Sequence, residues 1–135
     1  MLIKSRNWDD LYRKENEINS SKETIRYFER ANDSSLKKNI ESSKKVEYLE
    51  NLRDQLIYDF EDKFKISFDE ARELVESSNN ASRFYNMDEY NEIIAIIDQI
   101  SGEKFYIYQR NRLINKNKEV IRDINKWIDK AESER

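Results

Sequence analysis

The chain has 135 residues with one Gly, no Pro, no Cys and no His, and its 25 basic and 28 acidic groups leave a formal net charge of −3. Average usage would place about 9 Gly and about 7 Pro in this length, so β-sandwiches and barrels with their Gly/Pro turns are excluded, as are glycine-rich phosphate-cradling loops. Without Cys or His the chain holds no disulfide framework, zinc finger, Ser-His-Asp triad or His-based metal site.

Charged residues make up 39% and hydrophobic residues 37%, below the usual apolar share of about 45–50%. Low apolar content without helix breakers fits either disorder or long helices around a thin core. Sixteen isoleucines and sixteen aromatics at helical spacing favour the helices. The expected fold is all-α, an elongated antiparallel helical hairpin resembling a coiled-coil bundle. It forms one domain over 1–135, with arms at about 5–64 and 86–132 and a tip at about 65–85.

In the first arm, Leu11, Ile18 and Ile25 lie seven apart, with Trp8, Tyr12 and Phe28 nearby. Asn32-Asp33-Ser34-Ser35 predicts a kink or short break, because these side chains compete for backbone hydrogen bonds. From 36 to 64, Val46, Leu49, Leu52, Leu56, Phe60 and Phe64 keep three/four spacing. In the tip, Ser67 and Glu70 have capping-box spacing ahead of a short helix at about 68–78. The run 77–82 reads as a loop. The alternation from Phe64 to Phe68 fits a short strand less well than a helix exit, since no second strand is available to pair with it.

The second arm is the clearest. Ile93, Ile100, Ile107, Ile114, Ile121 and Ile128 recur every seven residues, and beside them run Tyr106, Leu113, Val120 and Trp127. Such a period means a helix packed along its length against another. The doubled row predicts an apolar face wider than a two-position seam, with Tyr106 and Ile107 in the core. The phase passes Gly102 unchanged, so one helix is expected across it, weakened by about 1 kcal/mol relative to Ala. Asn86 and Glu89 have capping-box spacing and would start that helix.

Net charge is 0 over 1–65, −7 over 66–103 and +4 over 104–135. The carboxylate clusters Asp59/Glu61/Asp62 and Asp88/Glu89/Glu92 are the only acid/base candidates near neutral pH, and they read as solvated helix surface. No Asp-x-Asp-x-Asp-Gly loop or Glu-x-x-His motif accompanies them. The expectation is a protein that is not an enzyme, with no catalytic residue, cofactor, metal or small-molecule substrate. The stretch from Lys104 to Lys118 interleaves cations with aromatics, and Arg110 and Arg112 could follow phosphates or an acidic protein surface. A pI near 5.2 argues against general nucleic-acid affinity. Trp8 and Trp127, near opposite chain ends, either cap the open end of the core or anchor a partner. No stretch is apolar enough for a membrane span or a signal-peptide core, so the expected location is cytoplasmic. A two-helix core is marginal alone, which points to self-association or a helical protein partner.

The helix at 42–64 and the long tail helix ending in IRDINKWIDKAESER, in a Glu/Lys/Asn/Ile-rich chain, resemble the small helical-hairpin accessory proteins of Gram-positive type VII secretion. These are WXG100-like proteins associated with LXG effectors. An aromatic-x-x-x-acid export signal of that family has counterparts at Tyr58–Asp62, Phe84–Asp88 and Tyr85–Glu89, and Phe84–Asp88 opens the long helix. The resemblance implies a non-catalytic adaptor that docks on the helical N-terminal domain of a secreted toxin and is co-exported with it. The partner-binding residues on this reading are Trp8, Phe84, Asp88, Arg110, Arg112 and Trp127. The alternative is a phage- or mobile-element-encoded inhibitor of a host enzyme or nucleic-acid complex.

Overall fold

The computed structural model describes the backbone of residues 2–78 and 82–134 and the side chains of 8–78 and 82–134; Asn79, Asn80 and Ala81 of the expected loop lie outside the described residues. The chain is all-α, with helices α1 (Leu2–Phe64), α2 (Phe68–Ser77) and α3 (Asp88–Ser133). Two long helices joined by a short one form a helical hairpin. Among the described residues no helix is long and apolar enough to cross a membrane.

Two compact units make up the chain, one of Met1–Lys38 with Gln109–Arg135, the other of Asn39–Tyr108. In the first unit Ile18, Ile25, Ile128 and Ala131 are buried together, with Ile121 and Ile124 packed on them. Lys14 bonds Glu134 at 2.9 Å and Lys22 pairs with Glu132 at 3.3 Å across the helices. Early α1 thus meets late α3, and the two run antiparallel. In the second unit Val46 and Leu49 pack on Ile96 and Ile100. Lys45–Glu103 (3.2 Å) and Lys104–Glu50 (3.9 Å) flank that contact.

The second unit also holds an aromatic core of Phe60, Phe68, Ala71, Phe84, Tyr90 and Ile93. Phe60 is its hub, with ring centroids 4.8 Å from Phe64, 5.7 Å from Phe68, 5.6 Å from Phe84 and 6.5 Å from Tyr90. Edge-on and tilted rings at these separations contribute beyond their buried area. Burial pushes the Tyr90 phenol above its ordinary value.

α1 ends where Lys65 turns left-handed, φ 55, while its N–H still donates to the Glu61 carbonyl at 2.9 Å. The segment at 64–68 is therefore the expected helix exit and not a strand. Ser67 then caps α2 in extended geometry, its side chain accepting from the Glu70 N–H at 3.1 Å. A second N-terminal donor of α2, the Phe68 N–H, is taken by the Glu61 carboxylate at 2.8 Å. The end of α1 and the start of α2 thus share one acid, which also suits the positive end of the α2 dipole.

Three expectations change. No break occurs at 32–35, because α1 is continuous there. Asn32 is buried and turns its amide onto α3 rather than onto its own backbone. α3 begins at Asp88 rather than Asn86: the first backbone bond runs from the Asn91 N–H to the Met87 carbonyl, and Glu89 reaches Lys63 at 2.9 Å instead of closing a capping box. Finally, the face of α3 that packs on α1 is narrow. Tyr106 is 56% exposed and Leu113 49%. A single facing helix covers a two-position seam, and a row one residue earlier points about 100° away from it.

α3 does run unbroken through Gly102, and a Cβ built there meets nothing within 4 Å. Gly102→Ala should therefore stabilise the protein by about 0.5–1 kcal/mol with unchanged helicity, read from urea unfolding. The Lys63 ammonium holds the Glu89 carboxyl below its ordinary 4.5. The linked stability is present above that value and lost as pH falls through the lower folded value. Glu89→Gln should leave the melting temperature less sensitive to acid between about pH 5 and 3 than in the unaltered protein.

Candidate protein-binding face

Each residue on an α-helix recurs on the same side every seven positions, so the Ile row of α3 and the row preceding it form two parallel lines. In the first unit the Ile line is turned inward: Ile114 and Ile128 are 4% and 5% exposed, and Ile121 is half-buried. The neighbouring line is left largely open. Leu113 is half-exposed, Trp127 is 42% exposed, and Val120 between them is half-buried. Trp127 forms one wall of a shallow open groove whose other side is α1, at Arg13, Asn16, Glu17, Ser20 and Ser21. Leu113 borders a second shallow groove with Gln109, Arg112 and Lys116. Lys116 and Asp123 lie beside the open line, and neither makes an ion pair among the described residues.

The six residues expected to bind a partner do not form one cluster. Trp8, Arg110, Arg112 and Trp127 belong to the first unit, Phe84 and Asp88 to the second. Trp8 is 73% exposed beside exposed Leu11 and Tyr12. The two tryptophans make no ring pair, and neither belongs to the buried apolar cluster of the first unit. Arg112 is exposed and Arg110 half-buried. Asp88 is exposed in the first turn of α3, where its charge suits the helix dipole. Phe84 is 1% exposed, packed on Phe60 and Phe64 with the Arg83 guanidinium 4.6 Å from its ring. Its ring belongs to the core and offers no surface.

Four of the six clustered carboxylates have structural partners. Asp59 accepts from Gln55 at 3.0 Å, Glu61 from the Phe68 N–H, Asp62 from Lys65 at 3.5 Å and Glu89 from Lys63. Among the described residues no group of three or more acids could hold a metal ion. In the second unit an open aromatic run remains, Phe105, Tyr106 and Tyr108, each 56–57% exposed, with Phe105 and Tyr106 edge to face at 6.2 Å.

Sequence reasoning missed a set of buried polar side chains. Asn32, Asn39, Ser42 and Asn117 are each less than a tenth exposed. A signal was present: the seven-residue row of Ile18 and Ile25 continues through Asn32 and Asn39 to Val46, then through Arg53 to Phe60. The apolar stripe of α1 thus has a polar interruption in phase.

Comparison with known proteins yields no matching family model, no matching characterised protein and no matching solved structure.

Proposed function

We propose that the protein is a non-catalytic adaptor that binds a helical segment of another protein along the 113–127 face of α3. The observation that carries this reading is the open Leu113–Val120–Trp127 line lying one residue from the buried Ile114–Ile121–Ile128 line. Together they give α3 an apolar arc wider than α1 covers, and a second apposed helix would complete it. Trp127, 42% exposed at a groove edge, is the type of residue that dominates interface energy when a partner covers it. Arg112 and Lys116 border the same face and suit a client with acidic flanks.

The finer reading makes that client the helical N-terminal domain of a secreted toxin, in the manner of the type VII accessory hairpins. The protein then acts in the cytoplasm and leaves the cell, if at all, bound to its client. The short core of the first unit supports a partnered role, because few buried apolar side chains hold α1 and α3 together there.

The test is affinity capture with tagged protein from its native cell, run in parallel with Leu113→Ala/Trp127→Ala. Both side chains are surface positions, so the variant should keep its helicity and lose about 1 kcal/mol of stability or less. The expected result is one stoichiometric helical partner on the unaltered protein, bound at least about tenfold more weakly by the variant. Equal capture by both forms would remove the 113–127 face from the interaction. A complex dissolved by salt and lost on Arg112→Glu, with nucleic acid in the eluate, would replace the adaptor by a nucleic-acid binder.

A further inference from the structure

The seam of α3 consists of two rows. One is isoleucine at every position from Ile93 to Ile128, and the other, three residues on, reads Ile96, Glu103, Arg110, Asn117, Ile124, Ala131. In the first unit the second row faces the Ile18–Ile25–Asn32 row of α1. Ile18 and Ile25 lie with Ala131, Ile128 and Ile124. Asn117 Nδ2 donates to Asn32 Oδ1 at 2.9 Å, and Asn32 Nδ2 donates to the Ile114 carbonyl at 3.5 Å. The two side chains are 6% and 7% exposed, and no buried side-chain polar atom among the described residues lacks a partner.

An unbroken isoleucine row is a general-purpose seam, because any helix with an apolar stripe can pack on it. Another α3 is one such helix. We propose that Asn117 keeps α3 from pairing with α3 of a second copy, and that Asn32 is the matching residue that admits α1. When two antiparallel helices pack, the second row of each faces the first row of the other. For α3 against α3 the first row is all isoleucine, so every register buries the Asn117 amide against an isoleucine side chain. An unmatched buried amide carries its full desolvation cost. A parallel, in-register pairing would match Asn117 with its counterpart. It would also set Glu103 against Glu103 and Arg110 against Arg110, which like charge opposes. Sliding α1 by seven residues would bring Asn39 to Asn117 but turn Asn32 onto Ile124. Only the observed pairing satisfies both amides. The match distinguishes helices rather than chains, since α1 of a second copy offers the same row.

Two single substitutions separate this role from plain packing. Asn117→Leu and Asn32→Leu each remove the amide–amide bond between α1 and α3 and set the remaining amide against leucine, so both should lower the melting temperature. Only Asn117→Leu makes the C-terminal seam of α3 apolar throughout. Sedimentation of the full chain over a wide concentration range, with helicity checked by circular dichroism, should show Asn117→Leu self-associating about tenfold or more tightly than Asn32→Leu. Asn32→Leu should match the unaltered protein in mass. Combining both substitutions should restore stability and reduce the association, because leucine then meets leucine within the hairpin. If either leucine variant loses its helicity, the milder pair Asn117→Ala and Asn32→Ala serves for the same comparison. Equal association by the two single variants, whether both strong or both absent, would overturn the proposal.

Discussion

A helix pair can hide only what lies on the facing side of each helix, and the rest of this structure follows from that constraint. Where two helices alone face each other, about two positions in seven of each lie in the seam and the others meet water wholly or in part. This accounts for a chain in which charged residues outnumber hydrophobic ones: most positions on α1 and α3 are meant for water. It also accounts for fifteen large hydrophobic side chains left exposed among the described residues. A narrow seam cannot recruit apolar residues outside its two rows, however regularly they recur.

The two units meet the constraint differently. In the second, α2 supplies a third element, and with it comes a compact aromatic core in which Phe60 touches four other rings. Three elements can surround a side chain, so Phe60, Phe84 and Ile93 reach 1–2% exposure. In the first unit only two helices meet. Its buried set is aliphatic, and cross-helix ion pairs of partly exposed lysines contribute little to stability. The amide pair of Asn32 and Asn117 occupies a level where an apolar pair would bind as tightly or more so.

Much of this was legible in the sequence. A seven-residue isoleucine period over 36 residues admits no other structure than a helix packed along its length, and the phase across Gly102 reported continuity correctly. Ser67 and Glu70 announced the cap of α2. The failures share a cause: local chemistry was given weight that tertiary position overrode. Asn32-Asp33-Ser34-Ser35 has the composition of a break, yet Asn32 finds an amide on another helix and the backbone stays helical. Asn86 has the spacing of a cap, yet Glu89 is drawn to Lys63. The Tyr106–Trp127 row has the period of a core, yet period alone does not say how many helices face it. Phe84, expected at a surface, is needed where α2 and α3 close over Phe60. The candidate face became visible only when burial was known, because Leu113 and Ile114 look equivalent until one is covered.

Both tryptophans lie in the first unit, and both are substantially open to water, while the aromatic core of the second unit is built from phenylalanine and tyrosine alone. The native protein should therefore emit tryptophan fluorescence only modestly to the blue of an unfolded chain, Trp127 being the partly covered one. Its emission would be a poor gauge of folding but a sensitive one of docking. A blue shift on mixing with another protein would report that Trp127 or Trp8 has been covered further than the hairpin itself covers it.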